Sequence, residues 1–94
     1  MKVVIKRPGE KIKFCNLKNS VDSFEKIIGA PFAVLPKGNL NIFLGKDVNV
    51  GKQNICIDGV NIHGPIIITG STVLGLETDV MHRHLKEIKR LNVV

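Results

Sequence analysis

The sequence predicts a small α+β domain, in which a mostly antiparallel, curved sheet carries two short helices. Its length of 94 residues is that of a single domain, which we place at residues 1–94. Segments that favour extended structure outnumber the two segments with helical periodicity, and turn signals separate them. The run IIIT at residues 66–69 is continuously apolar between turn signals, which is typical of a strand buried on both faces.

The first two segments predict an N-terminal hairpin. Residues 1–6 contain the run VVI, which favours a strand, and Pro8-Gly9 is a turn signal. Residues 11–15 alternate strictly between lysine and other side chains. We therefore expect Ile12 and Phe14 to face the core and the lysines to face solvent.

Residues 19–28 predict the first helix. Asn19 or Ser20 can cap the free amides of its first turn. Four apolar residues at helical spacing form its packing face: Val21, Phe24, Ile27 and Ile28. Gly29 ends the helix, because glycine accepts the left-handed conformation that follows a last turn.

The middle of the chain predicts two strands, at residues 32–35 and 40–44. The four residues between them, PKGN, are a hairpin connection. The sequence GKD at residues 45–47 predicts another turn.

Residues 48–58 are expected to hold one or two short strands, which end at the turn signal DG of residues 58–59. Pro65 suits the first position of the strand at 66–69, because proline cannot donate to a strand ladder. We expect this strand to be central, with a helix on one face and either sheet or a partner subunit on the other.

Residues 71–77 predict a loop or short strand, and residues 78–91 predict a second helix that Thr78 caps. The packing stripe of this helix comprises Met81, Leu85, Ile88 and Leu91. Arg83, Lys86 and Arg90 fall on another face, at i, i+3 and i+7, which could lie on DNA or RNA. A solvated face is the plainer interpretation of such a charge pattern.

The composition indicates the class of partner. Lys and Arg exceed Asp and Glu by 14 to 8, which gives a net charge of +6 and attracts anions such as nucleotides, nucleic acid, acidic proteins or anionic lipid. The same charge is equally consistent with a soluble protein that its charge keeps dispersed. Four phenylalanines are the only aromatic residues, which disfavours the stacking platforms of single-strand binders. No segment has the roughly 18 apolar residues of a membrane span, and the N-terminal run VVI is too short for a secretory signal. We therefore expect a cytoplasmic protein with reduced cysteines, no membrane association and, because a chain this short buries a modest core, assembly into a homo-oligomer.

The residues that could carry chemistry form no motif. Cysteine and histidine occur at positions without zinc-site spacing: Cys15, Cys56, His63, His82 and His84. Neither of the glycine-rich phosphate-binding motifs, GxxxxGK[ST] and GxGxxG, occurs in the sequence. The eight carboxylate side chains are scattered along the chain. A cysteine–histidine pair would lack a third group to orient it. We expect no metal, no cofactor and no catalysis.

Several turns could instead bind an anion. The sequence Gly70-Ser71-Thr72 follows the buried strand and offers backbone amides and hydroxyls. His63 could donate to an anionic ligand near pH 7, although a loop histidine without a role is commoner. The candidate ligand contacts are Lys37, Asn39, Asn54, His63, Ser71 and Thr72.

The order of these segments resembles an uncharacterised family of small proteins of phages and conjugative elements, a domain of unknown function. The resemblance covers nearly the whole chain and is carried by RPGE, NLKNSVDSFEKIIGAPFAVLP, HGPIIITG and the helix after GLETD. Members of the family commonly carry Asn-Glu where Gly45-Lys46 stands here, and Asn-Arg where Asn54-Ile55 stands. The resemblance implies no activity, but it implies that a phage or other mobile element encodes the protein.

Small non-enzymatic phage proteins often act by stoichiometric binding, and counter-defence is one such role. The first hypothesis is therefore a protein that sequesters an anionic, nucleotide-type signalling molecule of the host. The second is an inhibitor that binds a host defence protein directly, as anti-CRISPR proteins do. The third is a DNA- or RNA-binding protein that uses Arg83, Lys86 and Arg90.

Overall fold

A computed structural model describes residues 1–29, 31–46 and 51–91. In chain order the elements are β1 (Lys2–Lys6), β2 (Lys13–Asn16), α1 (Val21–Ile28), β3 (Phe32–Lys37), β4 (Leu40–Gly45), β5 (Gln53–Ile57), β6 (Val60–His63), β7 (Ile66–Ser71), β8 (Glu77–Thr78), a 3-10 turn (His82–His84) and α2 (Leu85–Arg90). Two short helices and a sheet whose pairs are antiparallel confirm the predicted α+β class.

The predicted central strand is β7, and it lies in the middle of the main sheet. The strand order is β2-β1-β7-β4-β3, and β8 pairs with the last two residues of β7, beyond the start of β1. Ile67 lies opposite Phe43 on one side and Ile5 on the other. The strand extends two residues past the predicted end, through Gly70 and Ser71.

One face of the sheet packs against α1. Ile67 and Phe43 from the sheet contact Phe24 and Ile28 from the helix, and all four side chains are buried. The rings of Phe24 and Phe43 meet edge to face with centroids 4.8 Å apart, which is a favoured aromatic geometry.

The chain itself covers the other face of β7. Because side chains alternate along a strand, Ile66 and Ile68 point away from α1. They belong to a second buried cluster with residues of the β5–β6 hairpin and with Ile88 and Leu91 of the C-terminal segment. This explains the unalternated apolar run: a helix covers one face, and a second small sheet together with α2 covers the other.

Two hairpin turns follow from their sequences. Asp58 and Gly59 both have positive φ, 51° and 81°, which is the type I′ turn that joins β5 to β6. Gly38 has φ 59° and begins a two-residue turn between β3 and β4, which is shorter than the predicted four-residue connection. Residues 48–50 of the predicted strand region, and Asp47 of the predicted turn, lie outside the described residues.

The first helix has the predicted ends. Ser20 is the N-cap, and its hydroxyl accepts a hydrogen bond from the backbone N–H of Ser23 at 3.2 Å. Gly29 ends the helix with φ 80°, as expected of a left-handed cap. Val21 was predicted to pack but is exposed, because it is the first helical residue and the helix contributes only Phe24, Ile27 and Ile28 to the buried cluster.

The prediction that Phe14 faces the core is wrong. Phe14 is 61% exposed because β2 is an edge strand, and the side chain lines a surface cleft instead of joining a core cluster. Ile12, the other residue of the alternating pattern, packs against the larger cluster as a partly buried side chain.

The predicted helix at residues 78–91 is also wrong in its first half. Thr78 pairs with Gly70 as part of β8 and does not cap a helix. Asp79 Oδ1 accepts the backbone N–H of Lys2 at 2.9 Å, and the N–H of Val80 donates to the Lys2 carbonyl at 2.9 Å. These bonds hold the segment extended alongside the start of β1, so that the α-helix begins only at Leu85.

The late helix start changes which side chains are buried. Met81 was expected in the packing stripe but is 52% exposed. His84 is buried in its place, four residues before Ile88 and seven before Leu91, and is 1% exposed. Arg83 belongs to the 3-10 turn, and therefore it does not share an α-helical face with Lys86 and Arg90.

Candidate functional site

The six candidate ligand contacts lie at opposite ends of β7. Asn54 and His63 lie near the start of this strand, on the β5–β6 hairpin. The other four lie near its end, where the N–H of Ser71 donates to the carbonyl of Asn39 at 2.8 Å: Lys37, Asn39, Ser71 and Thr72. Five strand steps of about 3.4 Å put roughly 17 Å between the two ends. One small ligand therefore contacts one group or the other.

The side chain of Asn54 forms hydrogen bonds within the fold. Its Nδ2 donates to the carbonyls of Lys6 at 2.7 Å and Gly64 at 2.8 Å, which uses both of its protons. Its Oδ1 accepts from the buried ammonium of Lys6 at 3.0 Å, and this ammonium also donates to the Arg7 carbonyl. Asn54 thus ties the end of β1 to the residue that follows β6. His63 is half-buried opposite Gln53 in that hairpin.

At the other end, Asn39 holds the carboxylate of Glu87. The backbone N–H of Asn39 donates to Glu87 Oε2, and its Nδ2 donates to Glu87 Oε1, both at 2.8 Å. The absence of a side chain at Gly38 permits this approach, since a Cβ there would lie 2.5 Å from Oε2. These hydrogen bonds, the backbone one foremost, lower the pKa of Glu87. The ionised carboxylate is therefore bound by two convergent donors.

A cleft of about 610 Å³ lies on one side of the Asn39–Glu87 contact, and we call it the hairpin cleft. The β3–β4 turn, the exposed side of β5 and the end of α2 form its walls. An ion pair crosses it, because Lys37 Nζ lies 2.6 Å from Asp58 Oδ1 and thereby joins the two hairpins. Arg90 and the exposed thiol of Cys56 also line this cleft.

A second cleft, of about 560 Å³, lies on the other side, and we call it the histidine cleft. It is lined by Asn39, Ser71, Thr72, Thr78, Arg83, His84 and Glu87, together with the backbone around Val73. It therefore combines one arginine and three hydroxyl-bearing residues with a buried imidazole.

His84 contributes a donor without a partner. Its Nδ1 accepts the backbone N–H of Met81 at 2.8 Å, so the proton of the neutral ring is on Nε2. Nε2 is buried and has no hydrogen-bond partner among the residues that the structure describes. Burial, and then the neighbouring Arg83, lower the pKa of this histidine against the opposing effect of Glu87. The ring is therefore neutral at pH 7, and its buried Nε2–H lacks an acceptor among the described residues.

Two further features of the surface are apolar. The loop between β7 and β8 is a tight turn in which Thr72 accepts two backbone hydrogen bonds, from Gly75 and Leu76. Its tip presents Val73 at 105% and Leu74 at 87% exposure. The buried Nδ2 of Asn41 donates to the Gly75 carbonyl and fixes the loop against the sheet.

A smaller cleft of about 390 Å³ brings together Phe14, Met81 and Leu85. Within residues 1–29, 31–46 and 51–91, no three side chains of the metal-binding types lie close enough to hold a metal ion. Among the same residues, no helix has the length and apolar character that crossing a bilayer requires.

The two residues that organise this region, His84 and Glu87, are absent from the ligand contacts that the sequence predicts. A signal for His84 was present, since its spacing to Ile88 and Leu91 is that of a packing stripe. No local signal marks Glu87, whose partner Asn39 is 48 residues away in the chain. Arg83, one of the residues of the nucleic-acid hypothesis, lines the histidine cleft.

Comparisons with known proteins find no matching family model, no similar curated protein and no similar solved structure. The resemblance to a family of mobile-element proteins therefore stays a prediction.

Proposed function

We propose that the protein is a non-catalytic binding protein whose histidine cleft takes up an anionic, nucleotide-type molecule. The observation that supports this most directly is the buried, unpartnered Nε2–H of His84, a residue that lines a cleft of about 560 Å³ together with Arg83. In the proposed role, the protein of a phage or other mobile element sequesters a signalling nucleotide in the cytoplasm of its host cell.

The buried donor supports a polar ligand. A buried N–H without an acceptor costs about 1–3 kcal/mol, and native proteins rarely leave one unsatisfied. A ligand oxygen in the cleft that His84 lines would relieve this cost. The neutral imidazole donates without adding charge, so the charge preference of the site comes from its neighbours.

Arg83 supplies that preference. A guanidinium binds phosphate oxygens with two parallel hydrogen bonds, which a lysine does not do. Thr78 lines the same cleft, and its hydroxyl is of a type that can donate to further ligand oxygens. The cleft volume is within the roughly 300–1,000 Å³ typical of small-molecule sites. These properties fit a phosphorylated molecule of nucleotide size.

The test is calorimetric titration of the protein with a panel of linear and cyclic nucleotides, followed by native mass spectrometry of the best ligand. Arg83→Gln is expected to weaken binding at least about tenfold, the effect of losing roughly 1.4 kcal/mol of charge-assisted hydrogen bonding. Lys86→Gln is the matched control, because it removes the same charge from an exposed residue that does not line the cleft. Absence of binding to the wild type, or equal losses in both variants, would contradict the proposal.

A second candidate is direct binding of a host defence protein, and the tip of the β7–β8 loop favours it. Val73 and Leu74 are apolar, fully exposed and held by a hydrogen-bonded turn, as anchor residues of interfaces often are. This hypothesis predicts capture of a protein in a pull-down, and loss of that capture with Leu74→Asp. The nucleic-acid hypothesis predicts instead an affinity for DNA or RNA that falls steeply with salt.

A further inference from the structure

We infer that Glu87 is a gate between the hairpin cleft and the histidine cleft, and that the ligand of the opened site carries two anionic groups. The inference rests on the proposed function and deepens it, because it assigns a ligand class and a moving part to the same site.

Glu87 lies at the boundary between the two clefts. Among the described residues that line the two clefts, only Asn39 and Glu87 belong to both. The carboxylate of Glu87, bound to Asn39, is therefore the partition between them. Rotation of this side chain away from the turn would open each cleft into the other and leave a continuous trough along the β3–β4 turn and α2.

The groups that hold the Glu87 carboxylate can also bind a ligand anion. The two N–H groups of Asn39 bind a carboxylate at 2.8 Å, and the same convergent pair can bind a phosphate oxygen. Glu87 thus occupies a position built for an anion, as a ligand supplied by the chain itself. A glutamate on the surface of a helix has three rotatable bonds and reaches solvent by changing rotamer, so a ligand anion can displace it without unfolding α2.

Each of the two clefts also contains an arginine. Arg83 lines the histidine cleft and Arg90 lines the hairpin cleft, so that Glu87 lies between two guanidinium-bearing residues. Lys37, the other cation of the hairpin cleft, is paired with Asp58. While Glu87 is in place, its negative charge attracts the guanidinium of Arg90. When it leaves, each end of the trough has an uncompensated arginine, and a ligand with two phosphate groups uses both ends.

The experiment compares two probes, adenosine 3′,5′-bisphosphate and adenosine 5′-monophosphate, by calorimetric titration of the wild type, Glu87→Ala and Glu87→Gln. Glu25→Ala is the matched control, because it removes a partly exposed glutamate from the other helix. Circular dichroism establishes that each variant is folded. Glu87→Gln keeps an acceptor for Asn39 while it removes the charge, so the test stands even if Glu87→Ala fails to fold.

We expect both Glu87 variants to raise the ratio of bisphosphate to monophosphate affinity by about tenfold, which corresponds to roughly 1.4 kcal/mol. The control is expected to leave that ratio at its wild-type value. An unchanged ratio, with both probes still bound, would overturn the gate and leave the proposed function standing. Absence of binding of either probe to the wild type and to every variant would overturn both.

Discussion

Replacement of Gly70 by alanine tests whether the end of β7 is packed as the structure shows. A Cβ at this position would lie 2.6 Å from Cε1 of His84, 2.8 Å from the carbonyl oxygen of Asp79 and 3.0 Å from Cγ2 of Thr78. The ordinary separation of carbon atoms in contact is about 3.5–4.0 Å. Two of these neighbours resist movement, because His84 is buried and the Asp79–Val80 backbone is bonded to the start of β1.

The magnitude follows from these overlaps. Forcing one extra carbon into a close-packed site costs about 1–3 kcal/mol, and we expect the upper part of that range, since the contacts involve backbone and a buried ring. A domain of this length loses about 4–8 °C of thermal midpoint per kcal/mol. Gly70→Ala is therefore expected to lower the midpoint by about 10–20 °C.

Gly45→Ala is the control. Gly45 is also in a β-strand and lacks a positive φ, but its nearest neighbour would be Cγ2 of Ile28 at an ordinary 3.8 Å. The chain has no Trp and no Tyr, so unfolding in urea or heat is followed by far-ultraviolet circular dichroism. We expect Gly45→Ala to change the free energy of unfolding by less than about 1 kcal/mol. The packing argument fails if Gly70→Ala is as stable as the wild type, or if the two variants lose equal stability.

Three further predictions use the same measurement. Ser20→Ala removes the cap of α1 and is expected to cost about 1 kcal/mol, whereas Asn19→Ala, which removes the alternative cap, should change stability by less than about 0.5 kcal/mol. Ile88→Ala empties a buried position and should cost about 2–5 kcal/mol, while Met81→Ala at an exposed position should cost less than about 0.5 kcal/mol; similar losses would contradict the described C-terminal segment. The folded-state pKa of His84 lies below its ordinary value of 6.5, so below that pH the unfolded chain binds more protons than the folded one. The free energy of unfolding should therefore fall as the pH decreases from 7 through 6.5 and below, and His84→Gln should remove that part of the slope; an unchanged slope would contradict the buried neutral ring.

Much of the fold is encoded locally and could be predicted from sequence. The three isoleucines at residues 66–68 leave no polar position to face solvent, which is the pattern of a strand covered on both faces. Ser20 and Gly29 define the ends of α1 through hydrogen bonds and dihedral angles within a few residues. Turn chemistry at Asp58-Gly59 requires two positive φ angles, and that sequence favours them.

The errors arose where a distant contact overrides a local preference. Residues 78–81 have acceptable helical chemistry, but bonds to Lys2, at the other end of the chain, hold them extended. The alternation around Phe14 is that of a half-buried strand, but the pattern contains no information on whether another layer covers an edge strand.

The candidate site was predictable only in part for the same reason. The composition of the β3–β4 turn predicts Asn39 as a ligand contact, and Asn39 lines both clefts. Its partner Glu87 depends on where α2 docks, and docking is a property of the whole fold. Asn54 has the residue type of a ligand contact, yet its hydrogen bonds are used within the chain.

The strand order has a consequence for how the protein is made. β1 and β4 are the immediate neighbours of β7, but β7 follows both in the chain. Ile5, for example, can pair with Ile67 only after the intervening residues have been synthesised. The β1–β2 and β3–β4 hairpins therefore leave the ribosome each with an unpaired inner edge, which is a template for pairing with other chains. The sheet closes only when β7 emerges between them, so folding of the nascent protein is a late, concerted step of high contact order.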